Sequence, residues 1–95
     1  MGKITWSPSS LRDIELISQY ISADSPDRAV LFVSRIIEIT ERLEQFPSSG
    51  RPIPEVDKQN YREIIYSTYR IMYKIEKDQI LILNVIHSAR DWYPE

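Results

Sequence analysis

Residues 61–87 read YREIIYSTYRIMYKIEKDQILILNVIH, and this stretch decides the fold. Ile, Tyr and Val dominate it, the side chains that suit a pleated, half-buried surface. Ser67-Thr68 and Lys77-Asp78 interrupt it, so the spacing predicts three strands, Tyr61 to Tyr66, Tyr69 to Ile75 and Ile80 to His87, joined by two-residue turns. Such turns fix register, with Tyr66 opposite Tyr69 and Glu76 opposite Gln79. Alternation then places Ile64, Tyr66, Tyr69, Ile71, Tyr73, Ile75, Ile80, Ile82 and Ile86 on one apolar face that needs a covering layer. The other face carries Tyr61, Glu63, Ile65, Arg70, Met72, Lys74, Leu81, Leu83, Val85 and His87. Apolar strips between charges make it an interface or a site.

The covering layer lies upstream. Ser7-Pro8 and Asp24-Ser25-Pro26 each set a capping residue before a proline, the signal for a helix start, and predict helices from Pro8 to Ala23 and from Pro26 to about Phe46. Leu11, Ile14, Ile17 and Ile21 form the stripe of the first. Ala29, Phe32, Val33, Ile36, Ile39, Leu43 and Phe46 form that of the second. Lys3-Ile4-Thr5-Trp6 is a short strand candidate, and three prolines and a glycine make Pro47 to Asn60 a loop. The expected fold is α+β: an N-terminal strand and a two-helix hairpin packed on an antiparallel three-stranded meander, one domain over residues 1–95.

Composition narrows the function. Ninety-five residues suit one core. Cysteine is absent, which removes disulfides, thiolate metal sites and cysteine nucleophiles and fits a reducing, cytoplasmic setting. No run approaches the roughly 18 apolar residues of a membrane span, so no membrane partner is expected. Phosphate loops, metal-ligand spacings and nucleophile elbows are all missing, so neither cofactor nor metal is expected. Net charge is −2, without the basic surplus that usually accompanies phosphate neutralisation. Residues 1–47 hold five basic and seven acidic side chains, whereas residues 48–95 hold seven of each. A basic patch must therefore be local and lie in the second half.

The polar groups of the second sheet face and the preceding loop are what remain for chemistry. Histidine titrates near neutrality, and the register sets His87 at the end of the last strand, on the face and diagonal of Arg70. With Glu55 from the loop these residues would supply a base, an acid and a cation for phosphodiester cleavage. The plainer reading has His87 capping its strand and Arg70 paired with Glu63 across the hairpin. Arg51 and Arg62 read first as loop anchors and Arg90-Asp91 as a solvated pair. Most tyrosines fall on the covered face, which leaves Tyr61 and Tyr93 as candidate exposed stacking groups.

Five strings occur in an order and spacing that resemble one family. They are Trp6-Ser7-Pro8-Ser9-Ser10-Leu11-Arg12-Asp13-Ile14, Phe46 through Gly50-Arg51-Pro52 to Glu55, Arg62-Glu63-Ile64, Tyr69-Arg70-Ile71-Met72-Tyr73, and His87-Ser88-Ala89-Arg90-Asp91. Together they span almost the whole chain and resemble the RelE/ParE toxins. The resemblance implies a type II toxin–antitoxin pair, with a cognate antitoxin segment folding along the toxin in a hetero-oligomer. RelE-like members cut mRNA on the ribosome with basic residues on the sheet and a C-terminal tyrosine, whereas ParE-like members inhibit DNA gyrase. Arg70 matches the arginine of the Tyr-Arg motif and Arg90 the arginine after the last strand. The paired lysines of the nuclease branch are replaced by Glu63 and Ile65, and Tyr93 is the candidate for its tyrosine. The leading expectation is a ParE-like toxin that binds gyrase, and Arg51, Arg62, Arg90 and Tyr93 are the candidates for binding the target or RNA. The alternatives are a ribosome-dependent endoribonuclease using Glu55, Arg70 and His87, and an inactive antitoxin-binding member.

Overall fold

The computed structural model describes residues 2–94; Met1 and Glu95, the ends of the expected domain span, lie outside them. Its elements are β1 (Lys3–Trp6), α1 (Pro8–Asp24), α2 (Pro26–Glu41), a 3-10 turn (Arg42–Glu44), β2 (Arg51–Pro52), β3 (Tyr61–Tyr66), β4 (Tyr69–Ile75) and β5 (Gln79–His87).

Both helices begin at the predicted serine caps. Ser7 Oγ accepts the Ser10 N–H at 3.0 Å and Ser25 Oγ the Arg28 N–H at 3.3 Å. Ser25 also ends α1, because its own N–H reaches the Ile21 carbonyl at 2.9 Å. One residue therefore closes the first helix and opens the second. α2 stops short of the expected Phe46: the chain tightens into the 3-10 turn before Pro47, which cannot extend a helix. Phe46 leaves the apolar stripe and stands 60% exposed, and Leu11 of α1 stands off its stripe as well.

The sheet has five strands in the order β1-β5-β4-β3-β2. Its centre is the predicted meander, with Tyr66 opposite Tyr69 and the Glu76 N–H on the Gln79 carbonyl at 2.9 Å. Two further pairings make the sheet mixed. β1 runs parallel to β5, Ile4 beside Ile80, and β2 forms inside the segment expected to be loop, Arg51 beside Glu63 and Pro52 beside Arg62. Pro52 is tolerated there because β2 is an edge strand.

A β-bulge corrects the expected face assignment. Tyr73 pairs with Ile82 but Met72 with Asn84, which leaves Leu83 as an extra residue in β5. Beyond it the alternation inverts. Val85 enters the helix-side core, Ile86 joins Met72 on the far face, and His87 lies opposite Tyr69. The bulge is held from α1: Asp13 Oδ2 accepts the Val85 N–H and the Asn84 side-chain N–H, both at 2.9 Å, while Ser7 Oγ donates to the Leu83 carbonyl at 2.9 Å.

Two cores result. Phe32, Ile36, Leu43, Ile71, Tyr73 and Val85 centre the larger, between hairpin and sheet. Ile53, Val56, Met72, Ile86 and Trp92 form the smaller, where the proline-rich loop and the chain after β5 cover the far face. Among the described residues no helix is long and apolar enough to cross a membrane.

Because Asp13 satisfies bulge donors that the strand ladder leaves unpaired, Asp13→Ala should cost about 1–3 kcal/mol. Asp13→Asn, which keeps an acceptor, should cost less. Urea unfolding of the two variants measures both, and equal stability of Asp13→Ala and the parent chain would contradict the role.

Candidate functional site

The far face of the sheet carries a cation sealed among carboxylates. Arg70 on β4 is 5% exposed and Glu63 on β3 is 1% exposed. The Arg70 Nε donates to Glu63 Oε1 at 2.7 Å. Its Nη1 and Nη2 grip both oxygens of Glu55 at 2.8 and 2.6 Å, and Nη1 also reaches the Arg90 carbonyl at 2.6 Å. Arg51 of β2 completes the row by donating from Nε to Glu63 Oε2 at 2.6 Å. A planar fork matched to a carboxylate is the strongest arrangement an ion pair adopts. The hydrogen bonds from Arg70 hold the Glu55 carboxyl down at about 2, below its ordinary 4.5, and the backbone N–H of Trp92 at 3.0 Å adds to this. The same pairing raises Arg70 further above the ordinary arginine range.

The loop that delivers Glu55 is itself anchored. Tyr73 donates its hydroxyl to the Pro47 carbonyl at 2.6 Å and accepts the Gly50 N–H at 3.0 Å, and burial raises its pKa. A Cβ on Gly50 would lie 2.6 Å from the Glu63 carbonyl oxygen and 2.7 Å from the Tyr73 hydroxyl, so only glycine fits. Arg62 donates from Nη1 to the Gly50 carbonyl at 2.8 Å and from Nη2 to Gln59 Oε1 at 3.2 Å.

Beside the cluster runs an open groove of about 520 Å³ between the N-terminus of α1, the far sheet face and the C-terminal segment. Tyr61, Lys74, Arg90, Trp92 and Tyr93 line it, with Ser9 and Asn84. Its wall is Trp92, 8% exposed, whose indole N–H donates to Asn84 Oδ1 at 2.8 Å.

Of the expected nuclease set, Glu55 and Arg70 meet and His87 does not. The bulge turns His87 to the other side of the sheet, where its ring packs edge-on to Tyr69 at 6.0 Å and its Nδ1 accepts the Ala89 N–H at 3.1 Å. Arg51 and Arg62 anchor the loop, while Arg90 and Tyr93 reach the groove. Neither Trp92, Asn84 nor Asp13 is among the expected site residues. An isolated tryptophan after the last strand is the one sequence signal that could have marked a returning tail.

The family model for the ParE toxin of type II toxin–antitoxin systems, parDE, matches residues 4–92. The chain belongs to the ParE toxin family. "Putative toxin Y4kP" of Sinorhizobium fredii is 35% identical over 92 residues, which cover 95% of this chain and 92% of that protein. A chain of the solved "Chromosomal ParDE TA system from P. aeruginosa" superposes with a TM-score of 0.73, over 92% of this chain and 96% of that one, at 20% identity. That likeness is one of fold. In this ParE-family chain the Tyr-Arg motif is a structural clamp, because its arginine ties β3, the loop and the C-terminal segment together.

Removing the arginine strands the buried carboxylate of Glu63 and the half-buried one of Glu55, so Arg70→Ala should cost about 3–5 kcal/mol in denaturant unfolding. Acid acts on the same pair. The folded-state pKa of Glu55 is lowered, so its contribution is present above about 4.5 and is lost as pH falls toward about 2. Glu55→Gln should flatten that part of the pH–stability curve; an unchanged curve would contradict the assignment.

Proposed function

We propose that this ParE-family chain is a toxin that inhibits DNA gyrase by binding it, in the cytoplasm, with no bond-making step of its own. Saturation of Arg70 carries the reading. Four of its five N–H donors already serve Glu63, Glu55 and the Arg90 carbonyl, so it is spent as a source of charge for a phosphorane. His87 stands on the opposite side of the sheet, so base, acid and cation do not converge on a scissile phosphate. Membership of the ParE branch supports gyrase as the target class.

The antitoxin of such a pair has a fitting surface on the hairpin. Leu11 and Ile14 of α1 and Val33 and Ile37 of α2 line an apolar groove, with Leu11 56% and Ile37 46% exposed. An amphipathic antitoxin helix laid in that groove would bury them.

Purified chain is expected to block supercoiling of relaxed plasmid by gyrase while leaving mRNA intact in a translating extract. Undisturbed supercoiling, or cut mRNA, would overturn the reading. Ile37→Glu should weaken antitoxin binding at least about tenfold without unfolding the toxin, by titration calorimetry.

A further inference from the structure

At the tip of the hairpin, where α1 hands over to α2 beside the β3–β4 turn, lies a pocket of about 320 Å³. It shares no lining residue with the ion cluster, the far-face groove or the hairpin groove. Ile21, Leu31 and Phe32 form its apolar wall. Tyr66, Ser67, Thr68 and Tyr69, four consecutive residues that each carry a hydroxyl, line the rest together with Arg28. Phe32 fixes both tyrosine rings, with centroids 6.0 Å from Tyr66 and 5.1 Å from Tyr69. Tyr73, on the same side of the sheet, has its hydroxyl bonded to both Pro47 and Gly50, whereas those of Tyr66 and Tyr69 have no protein partner among the described residues. The turn holds Ser67 at a φ of 54°, where glycine would sit without strain, and a hydroxyl-bearing side chain occupies the position instead.

The electrostatics of the pocket differ from those of the chain. Net charge is −2 with 14 acidic residues, and none of the 14 lines the pocket. Arg28 is the single charge there. Its contact with Asp24, at 3.6 Å between two largely exposed side chains, is of the kind that water screens and a ligand displaces.

We infer that this pocket binds a carboxylate carried next to an apolar side chain, with the carboxylate on Arg28 and the hydroxyls and the apolar group against Ile21, Leu31 and Phe32. A planar guanidinium matches a carboxylate, and one cation balances one such anion, whereas a phosphate carries more negative charge than Arg28 can offset. The apolar wall gains by covering a ring or a branched chain. A volume of about 320 Å³ lies at the small end of the roughly 300–1,000 Å³ of ligand sites, which suits one such residue and not a longer segment. Two sources present this chemistry, a free apolar amino-acid derivative and the C-terminal residue of a peptide.

Neither gyrase nor antitoxin enters the test. N-acetylphenylalanine is titrated into the isotope-labelled full chain, and the backbone amide signals of Arg28, Ser67 and Thr68 are followed by NMR. They should shift saturably with a Kd of about 1 mM or tighter, the range open to a fragment of that size. N-acetylphenylalaninamide, which lacks the charge, should bind at least about tenfold more weakly. Arg28→Gln should remove the difference between acid and amide, while Arg12→Gln, on α1 outside the pocket, should keep it. A tetrapeptide ending in phenylalanine, with its terminus free or amidated, separates the sources: carboxylate-dependent binding tighter than that of the free acid assigns the pocket to a protein terminus, and weaker binding assigns it to a small acid. No saturable shift, equal affinity for acid and amide, or a difference that survives Arg28→Gln would overturn the inference.

Discussion

A guanidinium with almost no access to water must find its counter-charges inside the protein, and around Arg70 that requirement organises everything outside the helix-side core. Glu63 comes from the neighbouring strand, Glu55 from the proline-rich loop and the Arg90 carbonyl from the chain after β5. Strand, loop and tail are thereby drawn to one point. Once there, Ile53, Val56, Ile86 and Trp92 close over Met72 and form the second core. The pairing is costly to break on one side only, so it specifies where loop and tail lie more than it adds to stability.

A second chain of polar contacts runs from helix to tail through the bulge. Asp13 holds Asn84 and Val85, and Asn84 holds the indole of Trp92. The groove lies between these two systems, walled by Trp92 and floored by Tyr61 and Lys74. Arg90 and Tyr93 are thus exposed side chains on a segment fixed by its neighbours, where little conformational freedom remains to be lost.

Local chemistry was legible in the sequence and long-range chemistry was not. Ser-Pro pairs announced both helix starts and two-residue turns announced the meander, because each signal lies within a few residues of its effect. The parallel pairing of β1 and the short β2 depend on partners far along the chain. The bulge at Leu83 has no local mark at all, since Asp13, which stabilises it, lies some 70 residues earlier. A single extra residue was enough to send His87 to the wrong side of a sheet otherwise correctly registered. At the site, Glu55 and Arg70 were legible as one group for chemistry, not as an ion pair, and Glu63 as the plainer partner of Arg70. The Arg90 carbonyl, which completes the saturation and turns a would-be phosphate ligand into a clamp, is backbone and leaves no trace in residue types.

The structural role of Arg70 is tested most directly by replacing the whole cluster with apolar side chains of similar size, Arg70→Met with Glu55→Leu and Glu63→Met, since a buried ion set exchanged as a unit is often neutral for stability. Growth arrest on induction is then compared between this triple variant and the parent chain at equal levels of folded protein. A clamp predicts undiminished arrest by the triple variant. A variant that folds as the parent does but no longer arrests growth would show that the arginine itself acts on the target.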